Sequence, residues 1–536
     1  MTRDHIRCFS IAFIFLAYLA LVASNDDVCT NDATSEACQN DKPKPPRVPD
    51  SCGIVMAKSS LHDAGWGVFS MLDRQKGTEI APGDIVIQIT DPNLEHLKGM
   101  KLLVDDYAWQ GQDTGGQFET ENVLSLVPGF GMLANSYYKH HNILPLAPQV
   151  DEGGLTRFDS PGAGAITHYH NYSWYTQNDI YAGNELFVSK PEEWYEERNY
   201  LQVTPATDAK PSLELLRENG YCLDNLLPMK SKIKEGGRGA FATRKLEEGT
   251  IVTAVPVLPI NASSLEKGVG AKTDQLLRNY CFGHKDSSLL LYPYSSMVNL
   301  INHYTEPNVK LQWSEASAEL VSKPLESSRI GQPLLLELVA TRTIQPGDEI
   351  YLDYGRDWET AWWWHVKHWQ PADEHYVPAY VMDDASRTIR TEKEQKEYPY
   401  PDNVQMSCFY RYSDRNERDR STIQRESADA VYTYRWALTK GLFDLQHLRL
   451  CSVLRRNDDA KGRSGYAVRM FNRPGLAKNE MIPKSELHIV THVPRSAIRF
   501  VDVQGTTDQH LEGVFRKEIG LDVFPKEWMD LATEAQ

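Results

Sequence analysis

Two sets of short motifs recur along this 536-residue chain, each with its internal spacing preserved, and that recurrence limits the folds open to it. Gly65-Trp-Gly-Val-Phe69 with Lys76-Gly-Thr78 returns, position for position, as Gly237-Arg-Gly-Ala-Phe241 with Glu248-Gly-Thr250. Ile180-Tyr-Ala-Gly-Asn-Glu-Leu-Phe-Val188 with Trp194 returns in the same way as Ile344-Gln-Pro-Gly-Asp-Glu-Ile-Tyr-Leu352 with Trp358. Self-similarity at a fixed spacing points to two copies of one fold unit, placed at about 51–200 and 201–370. Asp84–Ile89, Thr250–Val255, Leu334–Ala340 and Asp348–Asp353 are short, β-branched or alternating runs bounded by turn residues, and read as strands. Leu213, Leu215 and Leu216 support one short helix, and Thr360–Trp369 an aromatic-rich one. The fold class is mainly β with short helices (α+β).

The flanks are different. Arg3 and Arg7, the apolar run Ile11–Val22 and small Ala23-Ser24 have the order of a signal peptide over 1–24. Residues 25–50, polar and then proline-rich, read as a flexible leader. This predicts the secretory pathway, either endoplasmic reticulum lumen, secretion or an organelle reached through it, with no membrane segment beyond the signal. The sequons at Asn171 and Asn261 are compatible with that route. Without Cys8 seven cysteines remain. Cys29 with Cys38, or Cys38 with Cys52, are candidate pairs, and Cys222, Cys281 and Cys451 read as small buried side chains. No C-x-x-C occurs and no metal site is expected. The formal charge of −16 argues against direct binding of nucleic acid.

In the second copy four elements follow in order: Gly237-Arg238-Gly239, Val298-Asn-Leu-Ile-Asn302-His303, Glu306-Pro-Asn308, and Gly347-Asp-Glu-Ile-Tyr-Leu-Asp353-Tyr354-Gly355. Together they resemble the SET domain of S-adenosylmethionine-dependent protein-lysine methyltransferases, so each copy is expected to be a SET-type β-fold. The resemblance implies that Gly237, Arg238, Gly239, Asn302, His303 and Tyr354 bind S-adenosyl-L-methionine, with Tyr354 also the catalytic group at the transfer centre. Glycines allow a backbone to approach a ligand closely, which suits Gly237 and Gly239 beside the donor. Displacement at a sulfonium by a neutral amine needs alignment more than strong acid or base. An aromatic channel would favour that neutral amine, and Tyr280, Tyr292, Tyr294 and Trp358 are its candidate walls.

The implied partner is a protein substrate bearing lysine; nothing in the chain fixes an oligomeric state. The cysteine-rich segment that follows the closing tyrosine in the family is absent, which leaves the channel to be completed otherwise. In the first copy Lys190 stands where Tyr354 does in the second, so that copy reads as degenerate. A second reading is a catalytically inactive SET-like scaffold that binds peptides or proteins in the secretory route. Residues 371–440 read as a linker or insertion. Residues 441–536 read as a small β-rich module closed by a helix that opens at Thr506-Thr507-Asp508 and carries Leu511, Val514, Phe515 and Ile519 on one stripe.

Overall fold

In the computed structural model, the mostly buried strands Ile54–Lys58 and Trp66–Ser70 pair as an antiparallel hairpin. The structure describes residues 47–529 except 90–99, 101–102, 111–123, 199–209, 269–270, 326–333, 373–374, 413–420, 423–429, 441, 444–446, 459–463, 473–480, 485 and 504. The signal-like segment and Cys29 and Cys38 lie outside the described residues. A second hairpin, Leu226–Lys230 with Arg238–Ala242, has its strand limits offset from those of the first by the spacing of the repeated glycine motif. Each hairpin leads into a long strand, Glu79–Ile89 and Ile251–Asn261. Isolated bridges Arg74 to Ile180 and Leu246 to Ile344 close the two units in the same manner.

Ile251–Asn261 lies in the middle of a six-stranded sheet, between Leu334–Ala340 and Leu289–Pro293. Its Ala254, Leu258 and Ile260 face a core shared with Ile54, Val86 and Trp174 of the first unit. Its Val255 and Val257 face a second core with Leu336, Leu338 and Ile350. A strand buried on both faces must be apolar at nearly every position, and Ile251–Asn261 and Leu334–Ala340 are so apart from Thr253, Asn261 and Glu337. Among the described residues no helix is long and apolar enough to cross a membrane.

Asp84 pins the two units. Its carboxylate accepts from the Ser296 hydroxyl at 2.8 Å and from the Phe130 amide at 2.8 Å. Burial pushes this carboxyl up to about 8, against the pull of those hydrogen bonds. A covalent tie adds to it: Cys52 is bonded to Cys222, far along the chain, and Cys408 to Cys451. The sequence pairing of Cys52 with Cys38 is therefore corrected, as is the reading of Cys222 and Cys451 as unpaired; Cys281 alone of the described cysteines is free and buried. The leader is also packed at its end: Val48 is buried, and Arg47 sits 4.6 Å over the Tyr221 ring and 3.6 Å from the Glu337 carboxylate.

Two expectations about the C-terminal half are corrected. Within 371–440, the strand Val404–Phe409 pairs with both Leu448–Asp458 and Ile498–Asp502, so this stretch is part of the C-terminal sheet. The expected terminal helix is absent: a single turn at Asp508–His510 is followed by extended chain. Gly513 at φ 73° breaks the helical path, and the apolar stripe is used for tertiary contacts instead. The chain returns to the second unit, where Ile519–Gly520 pairs in parallel with Phe282–Gly283 at the sheet edge. Leu521, Phe524 and Trp528 then enter the second core.

Removing the Cys52–Cys222 bond with paired serines is expected to lower stability by roughly 3–5 kcal/mol in denaturant titration, because it releases a long loop in the unfolded chain. For Asp84 the folded value lies above the unfolded one, so its stabilising effect is full below about pH 4 and fades as pH rises towards 8. Urea unfolding between pH 5 and 8.5 should show Asp84→Asn losing less stability over that range than the native chain.

Candidate functional site

Asn302–His303 and Tyr351–Leu352 are two extended pieces that pair in parallel and bring two distant motifs together. The Tyr354 amide donates to His303 Nδ1 at 3.0 Å, and the Tyr354 hydroxyl donates to the Ile301 carbonyl. Burial raises the Tyr354 phenol well above its ordinary value and lowers His303, so both are neutral. With Nδ1 accepting, the imidazole proton is assigned to Nε2, which is buried with no partner among the described residues. The helix Arg356–His368 begins directly after Gly355 and lays Trp358 edge-on to Tyr354 at 4.9 Å and against His303 at 5.2 Å.

These groups line a cavity of about 390 Å³. Arg238, Asn302, His303, Tyr354, Tyr280 and Trp358, all singled out from sequence, face it. Arg238 forms an ion pair with Asp151, and its guanidinium is lowered by burial to about 10, still charged at neutral pH. The Tyr280 phenol, pushed by burial up to about 12, accepts from the Thr167 amide at 2.9 Å. A second orphan polar atom, Asn299 Oδ1, also belongs to the wall.

Three expectations need correction. Tyr292 is buried in the core shared by the two units, and Tyr294 packs against Tyr107 with ring centres 5.5 Å apart, so neither lines the cavity. Gly237 borders a neighbouring cleft of about 460 Å³ with Asp151 and His170. Gly239 lies within a buried strand, where a Cβ would stand 2.2 Å from Glu349 Oε1. Its lack of a side chain makes room for that carboxylate.

Glu349 was not among the residues singled out, yet it organises the site. Its buried carboxylate accepts from the Ser231 hydroxyl at 2.6 Å and the Lys232 amide at 2.7 Å. It also accepts from Asn302 Nδ2 at 3.3 Å and the Tyr351 hydroxyl at 3.1 Å. Asn302 Nδ2 in turn donates to the Arg238 carbonyl at 2.9 Å. The repeat itself carried the signal: Glu185, the matching position of the earlier motif, accepts from Ser59 at 2.8 Å, the Ser60 amide at 2.7 Å and Asn135 at 3.1 Å. Ile166 and Thr167 of the first unit, absent from the sequence reading, and Phe515 and Ile519, expected there on a helical stripe, all stand in the cavity wall.

Residues 237–355 match the family model of the SET domain. That SET domain holds every element of the carboxylate network except Ser231 and Lys232. No curated protein matches the chain. Among solved structures, the chain is similar to a Plasmodium falciparum protein described as a "putative histone methyltransferase", with 21% identity over 25% of this chain and 96% of that one and a TM-score of 0.18. It is also similar to a chain of Chaetomium thermophilum Polycomb Repressive Complex 2 bound to GSK126, with 20% identity over 24% of this chain and 16% of that one and a TM-score of 0.18. The chain thus spans nearly all of the first and about a sixth of the second.

Replacing Glu349 with alanine strands the donors of Ser231, Lys232, Asn302 and Tyr351 at once. Glu349→Ala is expected to cost about 2–4 kcal/mol in equilibrium unfolding, and Gly239→Ala to destabilise through the same carboxylate.

Proposed function

We propose that the SET domain transfers a methyl group from S-adenosyl-L-methionine to a lysine side chain of a protein. The observation that carries this reading is the cavity in which Asn302, His303 and Tyr354 of the matched family segment meet. The residues present fit the donor: His303 Nε2 is an unused hydrogen-bond donor and Asn299 Oδ1 an unused acceptor, both buried at the cavity wall. Ile233–Gly236 and Arg238 line the same cavity. When bound, the donor supplies an electrophilic methyl group on a sulfonium.

The chain's own groups would then align and desolvate the acceptor. Because the Tyr354 hydrogen is committed to the Ile301 carbonyl, its oxygen lone pairs are left to accept from an amine. Tyr280, Trp358, Trp362 and Phe515 surround that position with aromatic surface, which favours lysine as a neutral amine. Charge-bearing Tyr354 is disfavoured by its burial, so it orients the amine without acting as a base.

We also infer that the first unit is a degenerate copy without its own transfer site. Supporting this, Lys190 at the position of Tyr354 lies 3.7 Å over the Trp109 ring. The two disulfides support work in an oxidising compartment along the secretory route.

Isothermal titration with S-adenosylmethionine should give saturable binding that Asn302→Ala weakens at least tenfold. With radiolabelled donor and a lumenal protein fraction as acceptor, Tyr354→Phe should reduce transfer about 100-fold. Absence of donor binding by the native chain would sink the enzyme reading and leave the scaffold.

A further inference from the structure

The cavity has a third wall that lies outside the matched family segment. It is built from Pro161–Thr167 of the first unit and from the C-terminal strap that runs from Thr506 to Leu521. Pro161–Thr167 and the strap from Leu511 to Glu518 have no regular structure, and only Ile519–Gly520 is held by sheet pairing, so the rest of the wall depends on side chains that tie it down.

Arg157, Asn279 and Arg516 do so, and His365 Nε2 meets the Pro161 carbonyl at 2.8 Å. Arg157 is buried and its Nε donates to Asp508 Oδ1, itself buried. Its Nη2 donates to the Thr506 carbonyl at 3.1 Å, and its guanidinium lies 3.7 Å over the Tyr376 ring. Arg157 thus joins the start of the first-unit segment to the start of the strap. Asn279 joins them at the cavity itself: Nδ2 donates to the Ala165 carbonyl at 2.9 Å and to the Phe515 carbonyl at 3.0 Å, while Oδ1 accepts from the Lys517 amide at 2.9 Å. Arg516 adds a third link, from Nη1 to the Gly164 carbonyl at 2.8 Å and from Nη2 to the Gln509 carbonyl at 2.6 Å.

The consequences reach the groups around the Tyr354 hydroxyl. The Thr167 amide holds the Tyr280 hydroxyl, and the Thr167 carbonyl accepts from Arg238 Nη1 at 3.3 Å. Phe515 meets Trp362 and Trp358 edge-on, at 5.1 and 5.5 Å. A shift of the wall would therefore move Tyr280 and the tryptophans together, while Asn302 and the start of the loop at Ser231–Lys232 are also held by Glu349.

We propose that Arg157 and Asn279 are positioning residues that lock the first unit and the C-terminal strap into one acceptor-side wall of the SET cavity. The first unit thereby serves the second unit's site. This rests on the methyl-transfer reading for its catalytic effect, but the lock itself is independent of it.

Hydrogen exchange on the full chain separates the two. In Arg157→Met, amides at 162–167 and 515–520 should exchange about tenfold faster than in the native chain, while Leu334–Ala340 keeps its protection. Arg157→Lys should recover part of that protection. Asn279→Ala, which leaves the buried ion pair intact, should show the same local acceleration and covers the case in which Arg157→Met does not fold. In transfer assays both variants should raise the KM for the protein acceptor several-fold, with the S-adenosylmethionine Kd changed less than twofold. Unchanged exchange at both segments in Asn279→Ala, or acceleration spread evenly over Leu334–Ala340, overturns the lock. A native chain that fails to bind the donor overturns the methyl-transfer reading, with the exchange result still deciding the lock.

Discussion

One buried carboxylate holds the second unit of this molecule together. A carboxylate out of water must have its oxygens satisfied, and Glu349 meets that demand with donors from three stretches far apart in sequence. The demand runs in both directions. Ser231 and Lys232 fix the loop ahead of Gly237, Asn302 fixes the piece paired with Tyr351–Leu352, and Tyr351 fixes that strand just ahead of Tyr354. Gly239 is glycine because that carboxylate passes where a side chain would stand. Cavity shape follows from a hydrogen-bond requirement more than from any ligand.

The first unit keeps that requirement and differs at the position of the tyrosine. Glu185, Ser59, Ser60 and Asn135 repeat the network, and Gly67 makes the same room for its carboxylate. The differences lie at the edge: Lys190 where the other unit has Tyr354, and Ser136 bridged to Val188 where the other has His303 beside Leu352. The first unit meets the second through Asp84 at the joint and through Gly162 and Ala165–Thr167 at the cavity.

Much of this was legible in the sequence because it is local. The long strands and the helix after Gly355 follow from β-branched runs bounded by turn residues and from an aromatic run, and motif order set Asn302, His303 and Tyr354 side by side, whereas the hairpins were not read. The misreadings are long-range. Tyr292 and Tyr294 sit at the end of a strand near the site, and only sheet packing decides which face each presents. The stripe from Leu511 to Ile519 suits a helix, but Gly513 and the open edge at Phe282–Gly283 draw it into extended chain. Cys52 meets Cys222 because the two units close on each other, a fact no spacing rule contains. Glu349 was overlooked although the repeat had marked it.

The returning strap also sets an order of events. Phe515 is made long after Tyr354, with an entire β-rich module between them. At ordinary synthesis rates of about 5–20 residues per second, the intervening chain takes roughly 10–30 seconds, in which the SET core can fold with one side of its cavity open. During that interval the edge of Phe282–Gly283 is uncovered and the tryptophans of the helix lack their partner. Competence of the cavity is thus a property acquired late in synthesis, gated by the docking of a segment that belongs to neither repeat.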